Sequence, residues 1–339
     1  MTRICRLVLS MLAAALMSGL SSAAHARCTI NAAGLSITPV TASTGVYTPP
    51  AAPVAQSVTF TISGTYNSTN NTFPLCGVAL SFNRASLPAT MARSGGGATM
   101  PYTIRTLPGG GNTLLFTGGG LPAAANTLQV SFTQAGTNLT NRAFSITMTA
   151  HFLAQPGSPQ AAGTYSDALT ARVYQVRQGT GALTLRLTRA FTVTGTVNKA
   201  CTIGGLSTPG MDTANIPVSA LGSVNTAVIS RSYLTVICNA LSNLQVTSQG
   251  GAVKRATAAP SGFTHLINYS ATATYSGATS TVNTATISTA VGPEAGSIGT
   301  TSTNTSSGTM AVSITPQATV QPLVQGDYAD TLRIQITPQ

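Results

Sequence analysis

Apolar residues recur at every second position along much of this chain: Val58, Phe60, Ile62; Leu128, Val130, Phe132; Phe144, Ile146, Met148; Leu183, Leu185, Leu187; Met310, Val312, Ile314; Leu332, Ile334, Ile336. Thr or Ser fills most positions between them. A period of two is that of a pleated strand with one face buried, and β-branched Thr suits the solvated face. Clusters of Gly, Pro and Asn bound the runs as turns do, and no comparable stretch carries a helical period. The pattern predicts an all-β chain of short strands.

The chain also repeats itself. Cys28-Thr29-Ile30 returns as Cys201-Thr202-Ile203, and each is followed by one further cysteine, Cys76 and Cys238. Gly163-Thr-Tyr165-Ser-Asp167-Ala-Leu169 returns as Gly326-Asp-Tyr328-Ala-Asp330-Thr-Leu332. From second Cys to repeated Gly is 87 residues in one copy and 88 in the other, so the copies share a framework. The first-to-second Cys spacing is 48 residues in copy one and 37 in copy two, which places an insertion of about eleven between Cys28 and Cys76. Two tandem β-sandwich domains follow, 27–197 and 198–339, each of about seven strands. Four cysteines allow three pairings; the repeat selects Cys28 with Cys76 and Cys201 with Cys238. Asp167 and Asp330 recur at one strand position, which reads as a structural role.

Composition narrows the function. Residues 1–26 read as a secretory signal peptide, with Arg3 and Arg6 ahead of the apolar run 7–20 and a small-residue site at Ala24-His25-Ala26. Only 6% of residues are charged, against roughly 25% in ordinary globular chains, which argues against a cytosolic helical enzyme. After cleavage fourteen basic and five acidic residues remain, scattered except for Lys254-Arg255, which licenses a general pull toward anionic surfaces and argues against nucleic acid. His151 and His265 have no neighbours at metal spacing, and no Gly-x-Ser-x-Gly, P-loop or dinucleotide pattern occurs. The expectation is a non-enzyme without metal or cofactor.

These features together resemble the spore coat protein U domain family, the subunit family of archaic chaperone–usher pili: a Cys at the domain start, a second some forty residues on, aromatic strands at Pro101-Tyr102-Thr103-Ile104 and Ile267-Asn268-Tyr269-Ser270, and a closing Gly-x-Tyr-x-Asp strand. Two-domain members of this length are similar to pilus tip adhesins. The resemblance implies immunoglobulin-like sandwiches that each lack one strand, completed by a strand donated from a neighbour. Its partners would be a periplasmic chaperone, an outer-membrane usher and an adjacent pilin. Cleavage would leave only Arg27 before Cys28, so the chain would have nothing to donate. The strand 183–193 (Leu183, Leu185, Leu187, Phe191, Val193) would complete domain one from within, while domain two, ending on Leu332, Ile334 and Ile336, would present an open groove.

A subunit that accepts and does not donate terminates a fibre, which implies export to the cell surface at a pilus tip. Apolar loops of domain one are then the expected contacts with an abiotic or host surface in biofilm formation: Val46, Tyr47, Pro49 and Pro50; Phe73, Pro74 and Leu75; Leu121, Pro122 and Ala123. Phe73 and Leu75 have a second placement, in the core beside the disulfide. A secreted glycan-binding sandwich and a shaft or coat protein are the competing readings. Few aromatics for sugar stacking count against the first, and the missing donor strand counts against the second.

Overall fold

The alternating runs become strands because a sheet is the backbone arrangement that sends every second side chain to one side. The computed structural model describes residues 28–68, 75–133, 139–177, 180–204, 212–286 and 292–339; the expected signal peptide, 1–26, and Phe73 and Pro74 lie outside them. The chain is all-β, its only helical pieces among the described residues being single 3-10 turns at Ala124–Asn126 and Thr284–Thr286.

The first half begins with β1 (Cys28–Ile30), β2 (Ser36–Thr38), β3 (Thr41–Tyr47), β4 (Gln56–Ser68) and β5 (Leu75–Arg84). It continues through β6 (Thr90–Arg93), β7 (Thr99–Leu107), β8 (Gly110–Thr113), β9 (Leu115–Thr117) and β10 (Leu128–Thr133). Three long strands complete it: β11 (Leu139–Ala154), β12 (Gly163–Val176) and β13 (Leu183–Val197). The ladder β1-β4-β11-β7-β6-β12-β13-β3 curls over through β6, so that β4, β11 and β7 face β5, β12 and β13. Four phenylalanines meet between the layers: Phe60 of β4 and Phe152 of β11 from one side, Phe82 of β5 and Phe191 of β13 from the other. Their ring centroids lie 5.0 to 6.2 Å apart.

β13 is therefore a core strand. It runs antiparallel to β12 and parallel to β3, so both of its edges are bonded. Phe191, Val193 and Val197 are buried, but Leu185 is 43% exposed and Leu183 packs on the opposite side of the layer with Ala79, Tyr174 and Val176. This corrects the expectation for 183–193: a register shift between Val173 and Tyr174 breaks the alternation, and the residues that fill the core are 191–197, with Leu187 packed at their margin.

The second half repeats the plan with fewer strands. It contains β14 (Cys201–Ile203), β15 (Ile229–Cys238), β16 (Ser242–Ser248), β17 (Val253–Lys254) and β18 (Leu266–Ile267). After these come β19 (Tyr269–Tyr275), β20 (Ala278–Asn283), β21 (Glu294–Thr300), β22 (Ser306–Pro316) and β23 (Leu332–Pro338). A five-stranded sheet, β14-β15-β22-β19-β20, covers a three-stranded one, β21-β16-β23. Disulfides Cys28–Cys76 and Cys201–Cys238 are formed, as the repeat requires. Among the described residues the halves share no ladder, but Asn239 joins them: its carbonyl accepts from Ala162 N–H at 2.8 Å, and its side chain accepts from Ala200 N–H and donates to Asn198 O.

The placement of β13 gives a direct test by urea denaturation. Phe191→Ala is expected to destabilise the first half by about 3–5 kcal/mol, as deletion of a buried ring does, whereas Leu185→Ala is expected to cost under about 1 kcal/mol.

Candidate functional site

β12 contains the repeated segment 163–169 and β23 starts at Leu332, the last residue of its copy, but among the described strands only β12 has a neighbour on both edges. β23 bonds β16 on one side and no described strand on the other. Its apolar face shows the consequence: Leu332, Ile334 and Ile336 are half-buried, whereas the core-facing Leu169, Ala171 and Val173 of β12 are buried. A cleft of about 360 Å³ opens beside β23, lined by Leu332 and Ile334, by Ile229, Val312 and Ile314 of the facing sheet, and by Ile216 of the opposite rim.

That rim, 212–217, forms no strand; it falls between β14 and β15 in the chain, as β3 falls between β1 and β4, and Pro217 O at its end accepts from Asn225 N–H at 2.9 Å. Side chains hold it in place of a ladder. Arg231 donates to Thr213 O at 2.8 Å and stands 3.7 Å from the Asp212 carboxylate, to which Tyr233 OH also donates at 3.3 Å. Burial first, and the Asp212 charge second, raise the Tyr233 phenol above its ordinary range.

The repeated Gly-x-Tyr-x-Asp motif sets the floor of this arrangement in both halves. Tyr165 OH donates to Ala161 O at 2.6 Å and Tyr328 OH to Val324 O at 2.7 Å, the same four-residue tie back to the chain entering the strand. Asp167 accepts from Tyr102 OH at 2.8 Å and from Arg84 Nε at 2.6 Å; Asp330 accepts from Tyr269 OH at 2.5 Å, Ser248 Oγ at 2.6 Å and Gly250 N–H at 2.7 Å. The two carboxylates thus pin the aromatic strand of one layer to the closing strand of the other. Gly163 (φ +142°) and Gly326 (φ +150°) occupy backbone space that side chains avoid, and a Cβ there would come 2.8 Å from Arg93 Nε and 2.6 Å from Arg255 Nε. The arginine pair was legible in the sequence, 70 and 71 residues ahead of the two glycines, and is a repeated element that motif reading passed over.

The expected surface loops do not gather in one place. Val46 is 66% exposed and Pro50 is exposed, but Tyr47 is packed against the core and this stretch abuts the start of the second half: Asn198 N–H donates to Tyr47 O at 2.8 Å and Asn198 Nδ2 to Thr48 Oγ1 at 2.7 Å. The reason is topological. β3 runs parallel to β13, so both end where the chain crosses between halves, and a cleft there is lined by Tyr47, Pro49, Pro50, Ala200 and Ile237. Leu121 is 61% exposed and Ala123 is exposed, yet Pro122 is buried, against expectation, because the loop lies down on the outer side of the β5–β12 layer. Seven strand residues separate the register of this loop's anchor Asn83 from that of Val197, about 23 Å along the layer. Leu75 is in β5, paired with Thr133.

Chemistry at other candidates is sparse. His151 Nδ1 and Ser57 Oγ are 2.9 Å apart as an exposed cross-strand pair of β11 and β4, with Arg105 as the other neighbour of His151. Among the described residues no three of His, Cys, Asp and Glu gather at a metal-binding distance.

No protein-family model matches the chain, and comparison with curated proteins finds no match. Among solved structures the chain is similar to the chaperone–tip subunit pre-assembly complex CsuC–CsuE of the archaic Csu pili of Acinetobacter baumannii, at 11% identity and a TM-score of 0.41, over 92% of this chain and 100% of that one. It is also similar to the CupB6 tip adhesin of Pseudomonas aeruginosa, at 10% identity and a TM-score of 0.35, over 92% and 95%. The CooA pilin subunit of enterotoxigenic Escherichia coli matches at 14% identity and a TM-score of 0.31, over 49% of this chain and 99% of that one.

Two outcomes follow from the motif geometry. Gly326→Ala is expected to destabilise the second half by about 1–3 kcal/mol in denaturant titrations, through backbone strain and displacement of Arg255. Burial first, then the Asp167 and Asp330 hydrogen bonds, raise Tyr102 and Tyr269 above the ordinary tyrosine value of 10.0. A raised folded-state value means that the folded chain holds a proton the unfolded chain has lost. Stability from these phenols is therefore complete below about pH 10 and declines above it, and Tyr102→Phe should flatten that alkaline decline in pH-dependent melting.

Proposed function

We propose that this chain is the strand-accepting, terminal subunit of a head-to-tail surface fibre of the archaic chaperone–usher type, carrying a first-half domain (27–197) that contacts the surface and a second-half domain (198–339) that docks into the fibre. The observation that carries the reading is the free edge of β23 over a half-filled apolar cleft, at the place where the first half holds its own β13. A first half already closed by its own strand takes none from a neighbour; a second half with an open edge does. An unpaired apolar edge also aggregates unless it is covered, which gives a periplasmic chaperone its role before an usher hands the subunit to an adjacent pilin.

The internal copy specifies the incoming strand. In the first half Phe191 pairs with Leu169, Val193 with Asp167, Gly195 with Tyr165 and Val197 with Gly163. Carried to the second half, the donor runs antiparallel to β23 and parallel to the 212–217 rim, with a large apolar residue opposite Leu332, a β-branched one opposite Asp330 and a small one opposite Tyr328. The last requirement has a steric basis in the first half, where a Cβ at Gly195 would collide with Thr44 Oγ1 and lie 2.9 Å from Met100 Cε. Surface attachment falls to the first half, with Leu121 and Ala123 the exposed apolar residues of its expected loops that lie away from the junction with the second half, where Val46 and Pro50 are exposed.

The processed chain produced without a partner is expected to be degraded or insoluble, and a synthetic peptide of residues 188–197 to raise its soluble yield several-fold where a scrambled peptide does not. Ile334→Asp is expected to abolish that rescue. A stable, soluble monomer without any added strand would refute the reading. In immunogold microscopy, antibody against the first half should label fibre ends; label along the shaft would equally refute it.

A further inference from the structure

The first half is strongly basic in a particular way. Residues 28–197 hold eight arginines and one acid, Asp167, and that acid is already engaged by the Nε and Nη2 of Arg84. Arg172 has the same fork with no such occupant among the described residues. Its Nη1 donates to Gly120 O over a long 3.4 Å, its guanidinium lies 5.4 Å over the Phe116 ring, and its Nε is buried without a hydrogen-bond partner.

Two more unmet groups share this spot. Ser81 pairs with Arg172 across β5 and β12, and Tyr174, two residues further along β12, points to the same side of the sheet. Both residues are fully buried, and Ser81 Oγ and Tyr174 OH are without hydrogen-bond partners. Leaving such groups unpaired costs about 1–3 kcal/mol each, so three together on one patch of an outer sheet face require an occupant. The cover is the loop of residues 118–126, tied by Asn83 Nδ2 to Gly118 O at 2.7 Å and by Asn126 Nδ2 to Thr113 O at 3.0 Å.

We propose that Arg172, Ser81 and Tyr174 form a binding site for an oxyanion, a carboxylate or sulfate group, beneath the 118–126 loop. The three unmet donors lie on one face of the β5–β12 pair, at the paired positions 81 and 172 and at 174 two residues on. The guanidinium edge matches two oxygens of one anionic group, as Arg84 matches Asp167, and the aromatic face of Phe116 backs the cation. An incoming anion replaces the weak Gly120 contact, so occupancy shifts the very loop that carries Leu121 and Ala123. The inference stands on the outer face of the first half and does not depend on the open cleft of the second.

The test is calorimetric titration of the full processed chain at constant ionic strength with sodium sulfate, sodium glucuronate and a sulfated hexasaccharide, against sodium chloride and neutral glucose. Saturable binding of one oxyanion per chain is expected. Arg172→Lys should weaken it at least about tenfold and Tyr174→Phe about three- to tenfold, while Arg189→Gln, an exposed arginine of β13, leaves it unchanged. Tighter binding of the hexasaccharide than of free sulfate identifies the source as a substituent on an acidic polymer; equal binding identifies a free ion, and either supports the site. Binding no better than chloride overturns the proposal, as does equal weakening by Arg172→Lys and Arg189→Gln. A Tyr174→Phe chain that melts higher with anion affinity unchanged would assign the hydroxyl to internal packing and overturn it too.

Discussion

A two-layered sheet is stable when the apolar inner faces of both layers are covered, and in this molecule one strand position bears on whether that condition is met. Beside β12 the position is filled by β13, which places Phe191 into a cluster with Phe60, Phe82 and Phe152 and bonds β12 and β3 with its two backbone edges. Beside β23 no described strand fills the corresponding position, and Leu332, Ile334 and Ile336 are half-buried. The remaining features of the fold are arranged about this difference: the irregular 212–217 rim and its Arg231 tether, the cleft, and the asymmetry between two halves built on one plan.

The polar groups that this chain does bury serve to fix the layers relative to one another. A sequence with so few charges spends its acids sparingly, and Asp167 and Asp330 each bond a tyrosine of the facing layer. Such a buried bond is costly to break because the partner is left unsatisfied, so it enforces the spacing of the sandwich even where a strand is missing. The second half keeps its cleft open and its layers in place for the same reason. Asn239 does comparable work between the halves, where one side chain and its backbone engage Asn198, Ala200 and Ala162 at a short linker.

Arginine is distributed differently. Arg84 and Arg93 are consumed by the framework, the first by Asp167 and the second by Ala162 O. Arg172 is held by a ring face and a long carbonyl contact while its buried Nε has no acceptor among the described residues. With no second acid in residues 28–197 to supply a partner, the imbalance is intrinsic to the composition of the first half. It links an electrostatic property of that half to one local site.

The strands, both disulfides and the apolar face of β23 were legible in the sequence, because each depends on a local period or on a repeat that no distant contact can alter. Tertiary structure decided the rest. The alternating run 183–187 has the pattern of a core strand, but the register shift at Val173/Tyr174 turns Leu183 and Leu185 away and gives the core to Phe191, Val193 and Val197. Val46 to Pro50 have the composition of an exposed loop, but the parallel pairing of β3 with β13 carries them to the junction, and Pro122 is buried by the way its loop lies across the layer. Periodicity reports which residues prefer burial; where they are buried is fixed by pairing direction and register, and those are set by residues far away in the chain.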